Sequence, residues 1–300
     1  MPKLKIAVIG FGNVGKCVYE SVQAAPDMEL VCIIKRTEAG VPPELKNIWA
    51  TEIKDARKYD GIDAAILTSP SRSCPDIAEE LLKMGICTVD SYDIHANIWD
   101  LKCRLDAAAK KSGKSSVIAA GWDPGSDSVI RALFEAMAPR GISYTNFGPG
   151  MSMGHSVAAK SIEGVENALS ATIPLGTSMH RRMVYVQLKP GACIDEVAKL
   201  IKSDPYFSHD ETHVIQTDDI SAIMDVGHGV YINRKGVAGS SHNQILEYSM
   251  KINGPALTGQ VLVSAARAVV KQAPGCYTLI EIPVIDMLPG EKQDLISRLV

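Results

Sequence analysis

Gly10, Gly12 and Gly15 stand in the order G-x-G-x-x-G between an apolar run, KIAVIGF, and a segment with helical spacing. That order suits a pyrophosphate. The first glycine permits a tight turn, the second lets phosphate reach the backbone, and the third lets helix and strand pack closely. The helix behind the turn offers free N–H groups and the positive end of its dipole. About twenty residues on, a site for an unphosphorylated adenosine ribose carries Asp or Glu. Here the chain has Lys35, Arg36 and Thr37. Two cations and a hydroxyl suit a ribose 2′-phosphate, which a guanidinium grips through paired hydrogen bonds. The expected cofactor is therefore NADP rather than NAD. The competing reading makes Lys35 and Arg36 solvated charges at a strand end, with Glu38 close enough to blur the contrast.

Further candidates follow later strands. Thr68, Ser69 and Ser71 lie in LTSPSRS, where a crevice for the nicotinamide half of a dinucleotide opens, although ordinary turn chemistry explains them as well. Two acidic clusters come next: VDSYDIH with Asp90 and Asp93, and GWDPGSD with Asp123 and Asp127. Carboxylates at such strand ends can hold an ammonium group; they can also cap helices. Position favours capping for Asp93 and Asp127, and chemistry for Asp90 and Asp123. Downstream, His155, Thr172, Arg182 and His228 supply basic and hydroxyl groups. Arg182 alternates with Val184, Val186 and Leu188, so it is expected to point inward and to need an anionic partner.

These residues need a frame, and the pattern supplies one. KIAVIGF, ELVCIIK, DAAILTS, ICTVDSY and SVIAAGWDPG read as strands, and CPDIAEELLKMG and NIWDLKCRLDAAAKKSG read as helices stopped at Gly85 and Gly113. Strand–helix alternation implies a Rossmann-type, doubly wound parallel sheet, hence an α/β fold. After about residue 140, SYTNFGPGMSMGHS suits a loop. RRMVYVQL, HVIQTDD, VYINRKG and HNQILEYSMKI read as strands of an antiparallel sheet, with IDEVAKLIKSD a helix. ALTGQVLVSAARAVVKQ is apolar almost all round and reads as a buried helix. The expected division is a dinucleotide-binding domain over 1–122, onto which 255–300 packs back, and an α+β substrate-binding and dimerisation domain over 123–254.

Bulk properties narrow the class. A formal charge of -3 gives no general attraction to nucleic acid or anionic membrane. The sequence has no apolar run near ~18 residues. Seven cysteines without a C-x-x-C pair argue against a disulfide framework or a Cys-rich metal site and fit a reducing cytoplasm.

Taken in order, GFGNVGK, TVDSYDIH, GWDPGSDSVIRA, NFGPGMSMGHS, HRRMVYV, MDVGHGV and TLIEIP resemble meso-diaminopimelate dehydrogenase across nearly the whole chain. The resemblance implies an NADP-dependent homodimer. Its reaction oxidises the D-configured centre of meso-2,6-diaminopimelate to L-2-amino-6-oxopimelate and ammonia, reversibly. It implies catalytic roles for Asp90 and Asp123, and further nucleotide contacts at Asn13, Val14, Pro70, Ser91, Tyr92, Asp93, Gly121, Pro124 and Gly125. It also implies substrate contacts at Trp122, Phe147, Met153, Gly154, Thr172, Arg182 and His228, and near Asn253 and Gly254. Phe147 stands where many members have Trp, Met153 where many have Gln, and Gly254 where Asn is expected. The first two resemble a branch with a roomier pocket that also aminates simple 2-keto acids to D-amino acids. On the residues alone, homoserine dehydrogenase, dihydrodipicolinate reductase and a non-catalytic NADP-binding module share the layout.

Overall fold

The computed structural model describes residues 2–38, 41–224 and 229–300. In chain order the elements are β1 (Leu4–Ile9), α1 (Asn13–Ala24), β2 (Met28–Ile34), β3 (Trp49–Ala50), β4 (Ala64–Leu67), α2 (Cys74–Lys83), β5 (Cys87–Asp90), α3 (Ile98–Ser112) and β6 (Ser115–Val117). Next come α4 (Ser126–Met137), β7 (Arg140–Phe147), β8 (Gly150–Met151), α5 (Met153–Lys160), β9 (Val165–Gly176), β10 (Met179–Leu188), α6 (Ile194–Ser203) and β11 (Glu211–Gln216). The chain closes with β12 (Val230–Ala238), β13 (Ser241–Met250), α7 (Gly254–Val269), β14 (Gly275–Tyr277) and α8 (Lys292–Leu299). It divides into two compact units, Met1–Val129 with Pro255–Val300, and Ile130–Gly254. The division falls inside α4, seven residues beyond the boundary at 122 drawn from the sequence.

The first unit holds a seven-stranded parallel sheet in the order β14-β6-β5-β4-β1-β2-β3. Its strands are buried on both faces, which is why they read as unbroken apolar runs. Along β1, Ile6 and Val8 join a core with Val18 and Val22 of α1 and with Leu262 and Ala266 of α7. Ala7 and Ile9 turn the other way, toward Leu81 of α2 and Leu105 of α3. Gly113 ends α3 in the left-handed conformation. Ten of the sixteen residues of α7 are buried, including Arg267, which holds Asp27 at 2.5 and 2.8 Å and the Met287 carbonyl at 2.9 Å. That pairing resolves a charge within an otherwise apolar helix.

In the second unit, β11-β10-β9-β8 form one sheet and β13-β12-β7 another. Helices α5 and α6 cover the first: Ala159, Val197 and Ile201 pack with Val184, Val186 and Phe207. Two expectations change here. The stretch read as a loop is strand β7 through Phe147, then β8, then α5 from Met153. Irregular backbone is confined to the short link between the two strands, because residues 140–147 pair antiparallel with β12 along their whole length. The first sheet is also mixed rather than antiparallel, since β10 and β11 run parallel with α6 as their crossover. A parallel pair needs such a crossover.

Candidate active site

The sheet order reverses at β1, which lies between β2 and β4, and ligands of such sheets sit at that switch point. Gly10 leaves β1 with φ +98°, and a Cβ there would stand 2.9 Å from Thr68 Oγ1. A Cβ on Gly15 would lie 2.6 Å from the Gly10 carbonyl oxygen, so only glycine lets α1 press against the turn. By contrast, nothing lies within 4 Å of a Cβ position on Gly12, at the exposed mouth of α1. Asn13 and Val14 open that helix. Thr68, just past β4, donates to the carbonyls of Ile9 and Gly10 at 3.2 and 3.1 Å and braces the turn. This cradle fits a dinucleotide pyrophosphate, with backbone crowding on the inner side and open approach on the outer.

Lys35 follows β2 directly, half-buried, with its ammonium 6.0 Å from the Trp49 ring centroid. Its backbone N–H bonds to the Ala50 carbonyl. Arg36 and Thr37 are exposed beside it. In the loop after β4, Ser69 lies 3.6 Å from Cys74 Sγ, and Pro70 and Ser71 start the turn into α2. The residue at the N-cap of α3 is Asn97 rather than Asp93. Asp93 Oδ1 accepts from Ser71 Oγ at 2.6 Å, which links the loops after β4 and β5. Ser91 is half-buried and Tyr92 buried in that second loop. Asp127 lies in the first turn of α4 rather than at its cap, fully buried.

Asp90 is the last residue of β5 and has no exposed surface. One carboxylate oxygen accepts from the N–H groups of Tyr92, at 2.9 Å, and Ala119, at 3.2 Å, while the other is buried without a protein partner. Ala119 has φ +52°, a conformation uncommon outside glycine, and Asp90 holds it there from two sides, because the Asp90 carbonyl also accepts from Ala120 N–H at 2.8 Å. Burial pushes the Asp90 pKa from 3.8 to about 6, against the lowering effect of the Tyr92 and Ala119 hydrogen bonds. The sign follows from linkage. A carboxyl with a raised folded pKa contributes stability that is full below its unfolded pKa and lost as pH rises through the folded one. Asp90→Asn cannot titrate, so it should gain on the wild type by about 1–2 kcal/mol between about pH 5 and about pH 7.5 in urea unfolding. Parallel stability curves would contradict this.

The Gly121–Gly125 turn follows β6. Gly121 N–H bonds to the Pro124 carbonyl at 3.0 Å, and the Gly121 and Trp122 carbonyls accept from Ser126 and Asp127 N–H at 3.1 Å each. Trp122 and Asp123 are half-buried at the turn, and Pro124 and Gly125 are buried. A Cβ on Gly125, at φ +147°, would stand 1.9 Å from the Gly121 oxygen. The turn therefore sets the Asp123 side chain on a fixed backbone.

Within the second unit, β10 lies between β9 and β11, and Arg182 faces Thr172 on β9. Arg182 is 8% exposed. Its Nε donates to Asp210 Oδ2 at 2.6 Å and its Nη1 donates to Thr172 Oγ1. Thr172 is fully buried and pairs across the sheet with Gly150 of β8. Phe147 ends β7, and its N–H donates to His180 Nε2 at 2.8 Å, with the rings 5.4 Å apart. His180 must then accept at Nε2, and burial and the nearby Arg182 charge lower its pKa. Met153 and Gly154 open α5, half-buried. His155, half-buried, pairs with Ser152 Oγ at 2.9 Å and packs edge-on against Tyr206 and Phe207. Asn253 is exposed, and Gly254 is the first residue of α7. His228 lies outside the described residues. Asp210 and His180 were not singled out from the sequence.

Among the described residues, no group of His, Cys, Asp and Glu is arranged to hold a metal ion, and no helix is long and apolar enough to cross a membrane. A doubly wound sheet with a glycine cradle at its switch point defines a dinucleotide-binding enzyme class. Residues 2–90 match the family model described as CoA binding domain, and residues 121–181 match that described as diaminopimelic acid dehydrogenase C-terminal domain. Over 300 residues, and the full length of both proteins, the chain is 55% identical to the meso-diaminopimelate D-dehydrogenase of Bacteroides fragilis. Two solved structures are similar at 27% identity. One is the C. glutamicum DAP dehydrogenase in complex with DAP, with a TM-score of 0.90 and all of both chains covered. The other is an engineered D-amino acid dehydrogenase bound to NADP+, with a TM-score of 0.89 and 99% of this chain and 100% of that chain covered. The chain belongs to the meso-diaminopimelate D-dehydrogenase family.

Proposed function

We propose that this chain catalyses the reversible, NADP-dependent oxidative deamination of the D-configured centre of meso-2,6-diaminopimelate to L-2-amino-6-oxopimelate and ammonia. The observation that carries this reading is the full-length 55% identity to the Bacteroides fragilis enzyme. The local chemistry supports it. Gly10, Gly12 and Gly15 with the α1 N-terminus fit the pyrophosphate, and Lys35, Arg36 and Thr37 offer donors for a 2′-phosphate. NADP, when bound, accepts the hydride that leaves the D-centre carbon.

The protein's share is binding, orientation and proton handling. An ammonium group must lose a proton before hydride can leave its carbon, and Asp123 is the carboxylate assigned to accept it. Water then adds to the imine carbon, and the C–N bond breaks to release ammonia. Arg182 is assigned to a substrate carboxylate. Asp90 is assigned a place beside Asp123; one of its carboxylate oxygens braces the loops that carry Asp93 and Asp123, and the other is left without a protein partner.

We also propose a cytoplasmic homodimer that aminates simple 2-keto acids. Ile142, Lys235 and Ile245 stand in register across the three-stranded sheet, and both isoleucines are 59% exposed, as suits contact with a second copy. All seven cysteines are free, as suits a reducing compartment. The direct test is NADPH formation by the purified chain. It should appear with meso-diaminopimelate and be absent with the L,L-isomer and with homoserine. Turnover of homoserine in place of the meso compound would overturn the assignment.

A further inference from the structure

We propose that Asp210 is a positioning residue, fixing the plane of the Arg182 guanidinium so that its remaining N–H groups meet a substrate carboxylate in one orientation. The proposal rests on the assignment of Arg182 to a carboxylate.

Asp210 lies one residue before β11, and its backbone is anchored there. Its N–H bonds to the Phe207 carbonyl at 3.2 Å, and its own carbonyl accepts from Thr212 Oγ1 at 3.1 Å. Phe207 is 1% exposed, so this anchor sits in the core of the unit. The side chain then reaches Arg182 Nε at 2.6 Å, with 22% of Asp210 and 10% of Arg182 side-chain surface exposed. Thr172 takes Nη1 from the neighbouring strand. A guanidinium is planar, so fixing two of its three nitrogens fixes the directions of all its N–H groups. Thr172 accepts in this contact, which leaves its own O–H as a donor.

A buried ion pair is a poor way to stabilise a sheet, because desolvation offsets the attraction. Val184 and Val186 continue the same face of β10 with full burial, so an apolar residue at 182 would serve the core equally well. Retaining the charged pair there therefore suggests a role beyond packing.

Electrostatics and positioning predict opposite signs here. The Asp210 charge repels an incoming carboxylate, so a residue that merely neutralised Arg182 would, when removed, leave anions bound more tightly. A residue that orients Arg182 would leave them bound more weakly.

The test is steady-state kinetics of the full-length chain with meso-diaminopimelate. Asp210→Ala should raise KM for the diacid by about tenfold or more, exceeding any fall in kcat, with KM for NADP unchanged. Asp210→Glu should recover part of the loss. Arg182→Met should raise KM at least as much, and adding Asp210→Ala to it should do no further harm, since both act through one group. If Asp210→Ala fails to fold, the isosteric Asp210→Asn takes its place, with a smaller rise expected. A lowered or unchanged KM in the Asp210 variants, beside a raised KM in Arg182→Met, would overturn the positioning role. An unchanged KM in Arg182→Met would instead sink the assignment of Arg182 itself.

Discussion

Asp123→Asn should cut turnover with meso-diaminopimelate by about a hundredfold to ten-thousandfold, the range a positioned proton acceptor contributes. NADP affinity should change little, because the glycine cradle and the Lys35–Thr37 segment lie on other loops of the unit. The substitution keeps the volume and one acceptor oxygen but removes the basic site. Asp123 is half-buried on a turn held by backbone hydrogen bonds at Gly121, Trp122 and Pro124, so the variant should stay folded. Stopped turnover with normal nucleotide binding is the signature of lost proton transfer. Turnover within a few-fold of wild type would move the role of base to another group.

Gly125→Ala is expected to have the other large effect, by a different physical route. Its Cβ would stand 1.9 Å from the Gly121 oxygen and 2.8 Å from the Gly121 carbon, both backbone atoms that cannot turn aside as a side chain would. The backbone there also has φ +147°, which L side chains rarely adopt. The turn must open, and the hydrogen bonds from Ser126 and Asp127 to it are then strained or lost. An uncompensated clash of this kind costs about 1–3 kcal/mol or more in stability. Displacement of Asp123 by about 1 Å costs on the order of a hundredfold in rate. Both losses should appear together, as a lower thermal midpoint and near-absent turnover. Wild-type values of both would mean that the turn tolerates a side chain.

The sequence carried much of the first unit and less of the second. Parallel strands covered on both faces leave continuous apolar runs, and β1, β2, β4 and β5 fall where those runs are. The glycine turn could be read because Gly10 and Gly15 answer local steric demands, from atoms next door in the fold. What could not be read was non-local. The parallel pairing of β10 with β11 brings Asp210 to Arg182 across 28 residues of chain, and no spacing rule announces a register set by tertiary packing. The bracing by Asp90 was hidden for a related reason: one of its carboxylate oxygens meets backbone donors from two loops, one of them 29 residues away. The stretch from Ser143 to Ser156 was obscured by composition, since Gly148, Pro149 and Gly150 suggested a long loop around what is a short link between paired strands.

The most direct test follows a labelled hydrogen. Meso-diaminopimelate carrying deuterium only at the D-configured carbon would be incubated with the purified chain and NADP, and the nucleotide product analysed by mass. The expected result is NADPH one mass unit heavier, with unlabelled NADPH when the deuterium sits at the L-configured carbon instead. Deuterium arriving from the L-configured carbon, or no reduced nucleotide from the meso compound at all, would contradict the central claim.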